Sequence, residues 1–134
     1  MSCPRPQKAA EAAPRALTAE PRTAALARRL ADLLSEKQAS DILLLDISDV
    51  APFADFFLIA TGESRRQIEA LLAALEEELE REGLPALGRE GEPDSGWVLL
   101  DLGDIVVHIF SPDERSYYDL EGLWQSARPV VRIQ

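Results

Sequence analysis

The sequence predicts an α/β fold, a single mixed β-sheet with helices packed on it, from three observations. The stretch Trp97 to Phe110 reads as two apolar runs around Leu102-Gly103-Asp104, the pattern of a tight antiparallel hairpin in which Gly103 supplies φ > 0 and Asp104 tolerates it. Asp41 to Ile47 and Asp55 to Thr61 are too short and too continuously apolar for free amphipathic helices and read as buried strands. Segments with helical apolar spacing and capping residues lie around them. The order helix, strand, strand, helix, hairpin, helix places one layered domain over about Thr23 to Gln125, with no internal repeat.

Met1 to Arg22 is rich in Ala, Pro and Arg without hydrophobic periodicity, and is expected to be a disordered or weakly ordered extension. From Thr23, a good N-cap type, Leu26, Leu30, Leu33 and Leu34 form one stripe of a helix running to about Lys37. The strands Asp41–Ile47 and Asp55–Thr61 follow, separated by a loop around Ala51-Pro52-Phe53 and closed by Gly62. Ser64-Arg65-Arg66-Gln67 is a capping box, with the serine hydroxyl on the third helical amide and the glutamine reaching back to the Ser64 amide. In the helix it opens, Ile68, Leu71, Leu72, Leu75 and Leu79 share one face, Glu76 to Glu82 form the wet side and end, and Gly83 follows as the C′ residue. Leu84 to Ser95, with Pro85, Gly88, Gly91 and Pro93, is expected to be a loop with a short edge strand near Ala86 to Arg89. After the hairpin, whose second run Ile105–Phe110 should be covered on both faces, Ser111-Pro112-Asp113-Glu114 opens a last helix. Tyr117, Leu120, Leu123 and Trp124 are its expected packing face, Pro129 its end, and residues 126–134 a short tail.

The charge balance bears on partners. The chain carries −10 in all, yet its first 22 residues hold four basic against two acidic groups, so the remainder is −12. Such a surface repels phosphate backbones, so little direct nucleic-acid binding is expected, and it attracts basic protein. No apolar run approaches the roughly 18 residues of a membrane span, so a soluble, cytoplasmic protein without membrane contact is expected. Cys3 is the single cysteine, which leaves no intrachain disulfide and no Cys-based zinc site.

Three constellations invite chemistry. Gly62-Glu63-Ser64 stands where a strand meets a helix N-terminus, a place for anions, but Glu63 opposes phosphate and serine in such turns caps helices; capping is preferred. Asp101, Asp104 and Asp46 suggest a metal, yet Asp101 and Asp104 flank a turn and lack the same-face pairing that two-metal chemistry uses, so bonds to nearby amides are preferred. His108, the one histidine, lies in an apolar strand with no nucleophile elbow anywhere, and reads as a packed, hydrogen-bonded residue. Trp97, Tyr117, Tyr118 and Trp124 gather around the hairpin and last helix, where Trp and Tyr serve as core or as interface anchors. The absence of catalytic parts favours a binding protein.

Taken in order, Ala54-Asp55-Phe56-Phe57-Leu58-Ile59-Ala60-Thr61-Gly62, Ser64-Arg65, Gly91-Glu92, Gly96-Trp97, Leu100-Asp101-Leu102-Gly103-Asp104, Val107-His108-Ile109-Phe110, Arg115-Ser116-Tyr117-Tyr118-Asp119-Leu120-Glu121 and Leu123-Trp124 resemble the ribosomal silencing factor, or Iojap-like, family over about Thr23 to Gln125. The resemblance implies a nucleotidyltransferase-like α/β fold not known to act as an enzyme, with no cofactor. It implies binding to universal protein number fourteen on the intersubunit face of the large ribosomal subunit, so that the small subunit cannot join and translation is repressed under nutrient limitation. It points to Trp97, Asp101, Leu102 and Asp104 at that contact, with Tyr117 in support. His108 and Trp124 also match family positions and are kept structural. Two rival readings remain: a nucleotidyltransferase-type enzyme, and a self-associating scaffold, a homodimer when free, that uses the same hairpin on itself.

Overall fold

Strands without polar alternation have to be covered on both faces, and Ile42, Leu44, Leu58, Ile59, Val107 and Ile109 all lie out of reach of solvent. The structure is a computed structural model that describes residues 21–84, 86–119 and 128–133. Among these, three helices, α1 (Pro21–Glu36), α2 (Arg65–Arg81) and α3 (Pro112–Tyr118), accompany six strands: β1 (Ser40–Asp46), β2 (Phe56–Thr61), β3 (Gly88–Glu92), β4 (Trp97–Asp101), β5 (Ile105–Phe110) and β6 (Arg128–Ile133). The strands form one sheet in the order β3-β4-β5-β2-β1-β6. β2 and β5 pair in parallel and every other pair is antiparallel, so the sheet is mixed, as expected.

The period of two along each strand splits the sheet into two faces. On the first, Ile42, Leu44, Leu58, Ala60, Val98, Leu100, Val107 and Ile109 pack with Leu30, Leu33 and Leu34 of α1 and Ile68, Leu71, Leu75 and Leu79 of α2. On the second, Leu43, Leu45, Phe57, Ile59 and Phe110 meet Ile47, Ala51 and Ala54 from the β1–β2 connection. Asp104 ties that connection to the hairpin: its carbonyl accepts from the amides of Asp55 (2.8 Å) and Phe56 (3.1 Å). Among the described residues no helix is long and apolar enough to cross a membrane.

The hairpin forms where expected, with Gly103 at φ 91°. Asp104 keeps a negative φ, so the glycine alone carries the left-handed step. Several boundaries differ. α1 begins at Pro21, which fits a helix start because its missing N–H has no partner to lose there, and Thr23 therefore lies inside the helix instead of capping it. The edge strand is Gly88–Glu92, later than Ala86–Arg89, since the residues that pair are set by β4 opposite, Gly88 against Asp101 and Glu92 against Trp97.

α3 stops at Tyr118, where Asp119 turns left-handed at φ 47° and its N–H bonds the Arg115 carbonyl. Pro129 is accordingly no helix end. It lies in β6, which pairs with β1 where a tail was expected. A proline is tolerated there because β6 is an edge strand and the register shifts between Leu44 and Leu45, opposite Val131 and Pro129. Leu120, Leu123, Trp124 and residues 1–20 of the expected extension, with Cys3, lie outside the described residues, while its last two residues, Pro21 and Arg22, belong to α1.

Glu78 departs from the wet side assigned to it. It is buried on α2, and its carboxylate accepts from Arg81 and from Arg29 of α1 (3.5 Å). The Arg81 hydrogen bond, with Arg29 behind it, holds that carboxyl below its ordinary range. A glutamate can enter this interface because both guanidiniums accompany it.

Candidate functional site

β4 alternates strictly. Val98 and Leu100 point into the helix-covered core, while Trp97, Leu99 and Asp101 stand half-buried on the second face. Opposite them on β5, Phe110, His108 and Val106 pair with Trp97, Leu99 and Asp101 respectively. The three β4 residues thus form a row, with Trp97 and Asp101 about 13 Å apart by strand rise. The row ends in the turn, where Asp101 accepts the Gly103 N–H at 2.8 Å, the local bond expected of an aspartate at a turn.

Trp97 is held from below. Its ring stacks on Phe110 (centroids 5.3 Å, planes at 18°) and on His108 (6.1 Å, 21°), and its indole Nε1–H donates to His108 Nδ1 at 3.3 Å. His108 is itself 4% exposed, with Phe57 edge-on at 4.9 Å. Burial pushes its imidazole pKa from 6.5 down to about 4, so the ring is neutral near pH 7 and free to accept. The reading of His108 as a packed, hydrogen-bonded residue agrees with this. Before the strand, Gly96 at φ 82° leaves room that a Cβ would take from Ser111 Oγ and Glu114 Cγ, both at 2.8 Å. Its carbonyl accepts the Ser111 N–H at 2.7 Å, which fixes the start of α3 beside the start of β4.

The remaining expected site residues scatter more. Leu102 is half-buried and packs against the helix-side core, and Asp104 is exposed in the turn. Tyr117, expected to pack, is 78% exposed, because α3 is too short to lay a full apolar stripe on the sheet. Leu99 and Val106, half-buried on the same face as Trp97, and Phe53, 57% exposed and 6.0 Å from Phe57, were not picked out. Leu99 was findable, because it lies two residues from both Trp97 and Asp101 on one strand.

The other constellations resolve locally. Ser64 Oγ accepts the Gln67 N–H at 3.1 Å, while the Gln67 side chain takes the Glu63 amide at 2.7 Å instead of the Ser64 amide. The amide that an anion would use is therefore engaged. Asp46 accepts from the Ser48 amide and hydroxyl. Among the described residues no three His, Cys, Asp or Glu side chains are grouped to hold a metal ion. An open cleft of about 430 Å³ at the C-terminal ends of β2 and β5 mixes Arg115 and Arg132 with Asp41, Glu63 and Asp119. Arg115 donates there to the Asp41 carbonyl and to Thr61 Oγ1, so its guanidinium braces the strand ends.

Fold and charge together define an acidic α/β domain with one aromatic-lined strand face. The family model for the ribosomal silencing factor during starvation matches residues 20–134. The ribosomal silencing factor RsfS of Bacillus subtilis is 45% identical over 92 residues, covering 69% of this chain and 78% of that protein. The mouse mitochondrial assembly of ribosomal large subunit protein 1 is 31% identical over 98 residues, 71% of this chain and 43% of that one. A crystal structure from Chromobacterium violaceum superposes with a TM-score of 0.70 at 35% identity, over 82% of this chain and 92% of that one. The chain belongs to the ribosomal silencing factor family, and the match includes the residues of β6.

Proposed function

We propose that the chain binds the large ribosomal subunit at its universal protein number fourteen and sterically blocks joining of the small subunit, repressing translation under nutrient limitation. It acts as a regulatory binding protein and not as an enzyme. Trp97 and Asp101, with Leu99 between them, make the contact; Leu102 and Asp104 extend it into the turn, and Tyr117 flanks it. The observation that carries this reading is the half-buried row on β4, an aromatic anchor and a carboxylate on a strongly acidic chain. Charge steers such a surface toward a basic ribosomal protein, and the apolar and aromatic groups supply affinity. Family membership and the names of the relatives support the ribosome as the target.

The test is co-sedimentation of the purified chain with isolated large subunits, followed by addition of small subunits and separation on a sucrose gradient. The chain should travel with large subunits and lower the yield of joined ribosomes. A chain left at the top of the gradient would overturn the proposal.

A further inference from the structure

We propose that His108 is the positioning residue of the docking face: it holds the Trp97 indole in the orientation the partner meets. This rests on the reading of β4 as that face. The geometry is a one-sided bond. Trp97 donates to His108 Nδ1, so the proton of the neutral imidazole sits on Nε2, and that atom is buried without a hydrogen-bond partner among the described residues. A buried donor left without an acceptor costs free energy that a leucine or phenylalanine in the same space would avoid. What the histidine offers in return is the acceptor itself. No apolar residue could take the indole N–H, and without that bond an indole at the start of β4 could rotate about its two side-chain torsions.

Position adds a second constraint. His108 lies on β5 opposite Leu99, while Trp97 lies opposite Phe110. The bond therefore runs diagonally across the hairpin and draws the indole over both rings below it, Phe110 at 18° and His108 at 21°. Those two rings are themselves nearly parallel, at 4°, and form a floor for the indole. With its one polar atom turned inward to His108, Trp97 presents carbon surface to a partner, the rigid aromatic anchor that interfaces favour.

Three measurements on the full chain decide this. In the wild type, the imidazole ¹⁵N shifts should report the Nε2–H tautomer; an Nδ1–H tautomer overturns the proposal without any substitution. In His108→Leu, the Trp97 indole N–H, assigned with Trp97→Phe, should move upfield and exchange with solvent faster. Large-subunit binding should weaken about tenfold, the typical scale of one lost interface determinant. His108→Gln, whose amide oxygen can accept, should recover part of both. If the leucine variant is folded and its indole signal is unchanged, His108 does not hold the ring. If the ring is released and binding is unaltered, it does not position the ring for docking. Failure of the wild type to bind large subunits overturns the ribosome reading and the docking role with it, while the indole and tautomer data still decide whether His108 holds Trp97.

Discussion

The two faces of the sheet are built to opposite specifications. On the helix face, aliphatic side chains from α1, α2 and five strands interlock, and Ala27, Leu30, Leu34, Leu44, Leu58, Leu71 and Val107 have no measurable exposure. The β4 end of the second face is aromatic, half-covered and contains a buried histidine with an orphan nitrogen. A surface meant only for stability would not keep Trp97, Leu99 and Val106 half-open beside a polar ring. One face holds the fold, and the other, under the proposed function, gives up some stability to keep a docking surface ordered.

The largest way to break that contrast is a cavity on the helix face. Leu71→Ala removes a fully buried side chain of α2 and should destabilise the chain by about 3 kcal/mol, read as a lower midpoint in urea with the slope kept. A loss under about 1 kcal/mol, the scale of a surface change, would mean that this face is no better packed than the other.

His108 sharpens the contrast from the other side. Its pKa is about 4 in the fold against 6.5 ordinarily, from burial. Below 6.5 the unfolded chain takes up a proton that the folded chain refuses. The contribution of this group is thus fully present above about pH 6.5, declines as pH falls, and is exhausted below about 4, a loss of about 3 kcal/mol. Urea titrations of the wild type and His108→Leu should diverge across that window; parallel curves would remove His108 from the acid response.

Trp97→Ala should weaken docking more than His108→Leu and stability less than Leu71→Ala. Large-subunit binding should weaken by about 2 kcal/mol or more, while the melt shifts less than in Leu71→Ala. Unchanged affinity in a co-sedimentation titration would take Trp97 out of the interface.

Much of this division was legible in the residues. Helical spacing placed α2 and its buried leucines, the Leu102-Gly103-Asp104 turn placed the hairpin, and alternation separates Trp97 and Asp101 from Val98 and Leu100. What escaped depends on contacts distant in sequence. Arg128–Ile133 reads as a tail because Pro129 looks like a terminator, and only the open edge of β1 makes it a strand. Glu78 reads as solvated because the guanidinium of Arg29 that accompanies it comes from another helix. Tyr117 reads as packing because nothing local announces that Asp119 will turn left-handed. The bond between Trp97 and His108 needs the hairpin register, which places residues eleven apart in sequence within one hydrogen bond. Strand order was likewise unreadable, since pairing β2 in parallel with β5 depends on where α2 returns the chain.

The smallest effect separates the faces most cleanly. Ser64 caps α2 through the Gln67 amide, and Gln67 in turn takes the Glu63 amide and donates to the Gln38 carbonyl at 2.8 Å, so the turn after β2 is closed by its own side chains. Ser64→Ala should cost about 1 kcal/mol, the usual worth of a helix cap, and leave large-subunit binding where it was, because α2 lies on the helix face. The same variant tests the enzyme alternative, for which this strand-to-helix turn is the natural anion site. If Ser64→Ala lowers stability by that amount and binding is intact, the turn is a cap and the two faces are separable. A binding loss comparable to that of Trp97→Ala would mean that the partner reaches around the sheet, and the division between a holding face and a docking face would fail.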